Sequence, residues 1–104
     1  MVYIPCPSNE VAEELAYKTV EARLAACANI LKAGNSFYWW EGKVQKDPET
    51  ILILKTRAEL YDNVKGFIEQ HHPYTVPAIL ALPIIKGNDK YLDWLRAETS
   101  QTDI

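Results

Sequence analysis

The stretch Ser36-Phe37-Tyr38-Trp39-Trp40-Glu41-Gly42-Lys43-Val44-Gln45-Lys46-Asp47-Pro48-Glu49-Thr50-Ile51-Leu52-Ile53-Leu54-Lys55 decides the fold of this 104-residue chain. Two runs rich in aromatic and β-branched residues flank Asp47-Pro48-Glu49, and so short a connection predicts an antiparallel hairpin turning there. The first run, Ser36 to Lys46, resumes a strand-like run over Ala25 to Lys32 after a break at Gly34-Asn35. The two read as one long bent strand. Successive strand residues point to opposite faces, so Phe37 and Trp39 face one way and Tyr38 and Trp40 the other. Whichever face meets the rest of the domain, two large rings are left over.

Upstream, Val2 to Cys6 reads as a strand stopped by Pro7-Ser8-Asn9, small polar residues that can cap a helix whose first turn carries Glu10 and Glu13. Val11, Leu15, Ala16, Val20 and Leu24 keep helical spacing, and Glu14 stands four residues before Lys18, a favourable pair. The helix is expected to end near Leu24. Downstream, Thr56-Arg57-Ala58-Glu59 has the form of a capping box. Leu60, Val64, Phe67, Ile68 and His71 then follow on one helical face until Pro73 stops the helix. Ala78 to Ile85 reads as a buried-type strand, Gly87-Asn88 as a turn, and Tyr91, Leu92 and Leu95 as a short final helix. The tail after Ala97 reads as soft.

The order β-α-β-β-α-β plus a C-terminal helix predicts an α+β domain, a ferredoxin-like split β-α-β sandwich spanning residues 1–104. Its antiparallel sheet would carry two helices on one face. A bare opposite face should show polar residues at alternate positions, yet Ile51-Leu52-Ile53-Leu54 and Ile79-Leu80-Ala81-Leu82 are apolar on both. Such a patch predicts a homo-oligomer, the alternative being that the last helix folds over it.

Composition narrows the function classes. Eleven Lys and Arg against fourteen Asp and Glu give a net charge of −3 without a basic block, which argues against nucleic acid or an anionic membrane as partner. The longest apolar run, Ala78 to Ile85, is far short of the roughly 20 residues a membrane helix needs. Met1 leads straight into a strand without a secretion signal, and Cys6 and Cys27 form no Cys-x-x-Cys pair, so the cytoplasm is the expected compartment. There is no glycine-rich phosphate loop, nucleophile elbow, His-Glu-x-x-His or calcium loop. A thiol enzyme using Cys6 with His71 as base ranks behind an inert buried cysteine.

What remains is soft-metal chemistry, with Cys6, His71 and His72 as the candidate ligands for Cu(II) or another divalent cation. Neighbouring helical residues diverge by about 100°, but the residue before a proline is pushed out of helical conformation, so Pro73 frees His72 to turn. The plainer reading makes His71 a core-edge residue and His72 a helix terminus. Topology sets the end of the first strand and the end of the second helix at opposite edges, about 17 to 20 Å apart, so that a shared site needs a neighbouring subunit or a different register, two separate, weaker sites being the equal alternative.

The chain resembles the CutA family of divalent-cation tolerance proteins over nearly its whole length. The resemblance rests on Cys6-Pro7-Ser8-Asn9, Arg23-Leu24-Ala25-Ala26-Cys27-Ala28-Asn29-Ile30, Tyr38-Trp39-Trp40-Glu41-Gly42-Lys43, Lys55-Thr56-Arg57, His72-Pro73-Tyr74-Thr75-Val76-Pro77 and Tyr91-Leu92-Asp93-Trp94, in order and spacing. It implies a ferredoxin-like homotrimer whose long hairpin packs neighbouring sheets together. It also implies a non-enzymatic role in copper or other divalent-metal tolerance, with Cys6, His71 and His72 at the motif positions of the ligands. The alternative is a trimeric signalling or scaffold module like the nitrogen-regulatory PII-type proteins, binding a small ligand or a protein partner.

Overall fold

The computed structural model describes residues 1–100. Strand β1 (Val2–Cys6) leads into helix α1 (Asn9–Glu21), followed by β2 (Cys27–Trp40), β3 (Lys43–Lys55), a 3-10 turn (Ala58–Leu60), α2 (Tyr61–His71), β4 (Leu80–Ala81) and α3 (Asp89–Glu98). The sheet order is β2-β3-β1-β4, with the pairings β2–β3, β3–β1 and β1–β4 all antiparallel. This is the ferredoxin-like arrangement expected from the element order.

Local chemistry accounts for most boundaries. The Ser8 hydroxyl accepts the Val11 N–H and starts α1. Glu14 and Lys18 meet at 3.0 Å on its exposed side. The helix ends at Glu21, short of Leu24, because Arg23 takes a left-handed φ of 65°. The Arg23 guanidinium reaches the Glu98 carboxylate at 2.6 Å and ties that corner to α3. At Thr56 the capping box does not form. Its hydroxyl donates to the Leu24 carbonyl at 2.6 Å, and a 3-10 turn starts instead at Ala58 without a side-chain cap.

The hairpin turn lies elsewhere than the residues around Pro48 imply. It is Glu41-Gly42, where φ is 51° and 77°, the pair of positive values that matches the twist of a two-residue hairpin. β3 runs straight through Asp47-Pro48-Glu49, with Pro48 opposite Asn35. β1 pairs with β3 only from Thr50 to Leu54, so from Glu49 back to Lys43 β3 is an edge that tolerates a residue without an N–H. The long bent strand is observed, with its register shift between Lys32 and Gly34. The two arms project beyond the core. The radius of gyration is accordingly 14.6 Å, against about 13 Å for a compact chain of this length.

On the helix side of the sheet Val2, Ile4, Cys6, Leu52 and Leu54 are buried against Ala12 and Leu15 of α1 and Val64 and Ile68 of α2. Full burial of each Ile or Leu contributes about 1.5–3 kcal/mol, and this layer is the core. The 78–85 run is a correction: only Leu80–Ala81 is strand, and Ile79 alone of that run is buried. Its apolar character serves the other side of the sheet. Tyr3, Leu31 (53%), Leu80 (56%) and Leu82 stay exposed there, so α3 does not fold over that face. Both sets of hairpin rings stay exposed as well, with Phe37 at 68% and Trp39 at 74%. The tail is firmer than it reads: Thr99 is buried, and Arg57 donates to its hydroxyl and to its carbonyl at 2.9 Å each. The remainder of that tail, residues 101–104, lies outside the described residues. Among the described residues no helix is long and apolar enough to cross a membrane.

Candidate functional site

The two histidines part company where α2 ends. His71 is the last helical residue, exposed, with Nδ1 2.8 Å from the Phe67 carbonyl and its ring 4.4 Å from the Phe67 ring. A carbonyl only accepts, so the Nδ1–H donates and the Nε2 lone pair is left over. His72, ahead of Pro73, is extended at φ −84°, ψ 136°, as a residue preceding proline should be. That turn buries its ring. Nε2 lies 2.8 Å from the Pro5 carbonyl, and Nδ1 accepts the Tyr74 N–H at 3.1 Å. The proton therefore sits on Nε2, and neither nitrogen keeps a lone pair for a cation. The expected roles are reversed: His72 is the packed residue and His71 the exposed terminus.

The predicted separation is also corrected. β1 lies inside the sheet rather than at its edge, and the bond to Pro5 brings His72 within one residue of Cys6. Cys6 itself is fully buried, its Sγ donating weakly to the Ile4 carbonyl at 3.6 Å. Burial, helped by the negative charge of Glu49, pushes its thiol up to about 11. Cys6 and His72 thus share a corner from which His71 turns away. Among the described residues no group of three His, Cys, Asp or Glu side chains stands close enough to hold a metal ion. The native Cys6 thiol is expected to resist iodoacetamide at neutral pH and react only on unfolding, as read by peptide mass spectrometry. Rapid native alkylation would restore the thiol-enzyme reading.

A second cluster, which sequence reasoning missed, lies on the open sheet face. The Ser36 hydroxyl donates to Glu49 Oε1 at 2.9 Å, and the Tyr74 hydroxyl donates to Glu49 Oε2 at 2.8 Å. The Tyr38 hydroxyl donates to the Asp47 carboxylate. Ser36 and Asp47 are direct register partners, so the true hairpin register was the signal that could have found the group. Burial, then the bond to Glu49, raises the Tyr74 phenol, and the bond to Asp47 raises that of Tyr38. Ser36, Tyr38, Glu49 and Tyr74 border a cleft of about 670 Å³ between the hairpin and residues 73–78.

Residues 1–98 match the family described as CutA1 divalent ion tolerance protein. The chain belongs to that family. It is 48% identical over 99 residues to the divalent-cation tolerance protein CutA of Thermus thermophilus, covering 95% of this chain and 96% of that one. The solved structure of the Thermus protein superimposes with a TM-score of 0.91 over the same shares of both chains. The chloroplastic rice protein CutA 1 is 45% identical over 102 residues, 98% of this chain, which spans only 58% of the rice protein's length. A structure from Archaeoglobus fulgidus, titled a periplasmic divalent cation tolerance protein, gives a TM-score of 0.93 at 41% identity, covering 95% of this chain and 96% of that one. CutA relatives thus carry different compartments in their names around one shared domain.

Proposed function

We propose that this CutA chain is a non-enzymatic, homotrimeric protein of divalent-metal tolerance, meeting copper(II) or another divalent cation in the cytoplasm. The observation that carries the reading is the apolar surface that one copy leaves uncovered on the sheet and on both sides of its projecting hairpin. The hairpin's outer strand, β2, is in addition a fourteen-residue sheet edge with open backbone groups. Copies of the same chain cover such edges and patches at little cost. Family membership supports the cation role, and the resemblance to trimers supplies the number three. Two free thiols support a reducing compartment.

Within this reading the ligands are Cys6, His71 and His72, and they differ in readiness. His71 holds its Nδ1–H on a carbonyl and presents Nε2, the state in which imidazoles ligate metals. His72 joins only after giving up Pro5 and Tyr74, and Cys6 only after losing a proton that burial holds up to about 11. One copy is therefore a weak site led by His71. Calorimetric titration of tag-free protein with Cu(II) is expected to show saturable binding, weakened by about tenfold or more in His71→Ala. Cys6→Ala is expected to titrate like the wild type at neutral pH. No saturable binding, or binding lost in Cys6→Ala and kept in His71→Ala, would overturn this ligand order.

A further inference from the structure

We infer that the pocket between the 3-10 turn and α3, at the end of the sheet where β1 begins, binds a small organic carboxylate with an apolar body. Its volume, about 760 Å³, lies within the range of small-molecule sites. Val2 is buried against the helix layer, and its register partner Ala81 shares that side of the sheet. With Tyr61, Leu92 and Leu95 they give the pocket apolar walls. The Tyr61 ring is anchored by its hydroxyl, which donates to the Ile79 carbonyl. Of the exposed open-face and hairpin residues only Leu82 lies on the lining, so copies that close over that surface leave the helix-side walls as they are.

Charge then selects the ligand. Arg57 and Arg96 lie on the lining against one carboxylate, Glu59. The half-buried Arg57 guanidinium is fixed in place, Nε donating to the Thr99 hydroxyl and Nη2 to the Thr99 carbonyl at 2.9 Å each. Both acceptors are neutral, so neither offsets its charge. Among the described residues the ion pairs are Glu14–Lys18, Arg23–Glu98 and Asp93–Arg96, which leaves Arg57 without a carboxylate partner. Its Nη1 edge keeps its donors for a ligand, and a partly buried charge is relieved by an anion that it can hydrogen-bond. Arg96 is held only by an exposed pair at 3.3 Å, of little strength, and can turn toward the same ligand. A carboxylate matches the planar guanidinium fork, and the walls beside it take up an apolar body that inorganic phosphate lacks.

The inference stands independently of the metal reading and is tested on the wild-type protein in whatever assembly it forms. Cyclohexanecarboxylate is titrated at neutral pH and constant ionic strength while backbone amide NMR shifts are followed. Cyclohexanecarboxamide is the neutral probe of the same shape, and inorganic phosphate the anion without an apolar body. Saturable shifts around Arg57 and from Leu92 to Arg96 are expected for the carboxylate, with a dissociation constant on the order of 1 mM, and none for the other two. Arg57→Gln is expected to weaken binding about tenfold, and Arg96→Gln about threefold with an unchanged melting temperature. Absent saturation, shifts elsewhere in the chain, or an amide or phosphate that binds as tightly as the acid would each overturn the assignment. So would an Arg57→Gln protein that folds and binds like the wild type or, where the loss of the Thr99 bonds prevents its folding, an Arg96→Gln protein that does.

Discussion

Trp39→Asp is expected to dissociate the assembly. In one copy the Trp39 ring is 74% exposed, paired in register with Val44 and two residues from Phe37 on the same side of the hairpin. If that surface faced water, an aspartate there would change stability by no more than about 0.5 kcal/mol. If copies of the chain cover it, the substitution removes a large buried aromatic side chain and leaves a carboxylate without a partner, which costs several kcal/mol, roughly the scale of a broken buried ion pair. The two cases are far enough apart for one sedimentation experiment. Trp39→Asp should sediment as a single chain or unfold, and Lys65→Gln on the exposed side of α2 should leave the wild-type profile intact. A Trp39→Asp protein that sediments and melts like the wild type would sink the covered-face argument.

Leu52→Ala is expected to have the largest effect on stability inside one copy. Leu52 is fully buried on the inner strand β3, opposite Ile4 on one side and Ile30 on the other. The sheet on both flanks and the helices above leave little freedom to collapse into the space. The loss is therefore placed at about 2–5 kcal/mol. Against a total of about 5–15 kcal/mol that is a large fraction, and the urea midpoint should fall with little change in slope. The comparison is made at one protein concentration, because association adds to apparent stability. Leu31→Ala, on the open face, should by contrast cost stability only where the chain is assembled, so its effect should shrink on dilution. A Leu52→Ala loss below about 1 kcal/mol would place the core elsewhere.

The parts of the fold that were legible in the sequence are those set by local chemistry and period. The order of elements, the Ser8 cap, the stop of α2 at Pro73 and the extension of His72 all follow from residues within one turn of the feature. The apolar residues on both sheet faces were legible too, because a two-residue period needs no knowledge of the partner strand. What failed depended on which strand lay beside which. Pro48 marks a turn in isolation, and only the early end of β1 makes it an acceptable edge residue. Thr56 looks like a cap until the Leu24 carbonyl, 32 residues away in sequence, claims its hydroxyl.

The same distinction runs through the candidate sites. Setting β1 at an edge separates Cys6 from His72, whereas β1 lies inside the sheet and the His72 ring bonds the carbonyl of Pro5, the residue next to Cys6. The Ser36, Glu49 and Tyr74 bonds join an arm, its partner and a later loop, and they become visible only when the turn is moved to Glu41-Gly42. Residue type alone nominated His71 and His72 equally. Their hydrogen bonds leave the Nε2 of His71 unengaged and make His72 a structural clamp.

The most direct test of the central claim, that copies of this chain close over its open sheet face and hairpin, is the native mass of the wild-type protein. Native mass spectrometry at low micromolar concentration should return three times the 11.9 kDa chain mass. A species at the single-chain mass under those conditions would leave the exposed rings and Leu80 uncovered in solution and would contradict the account.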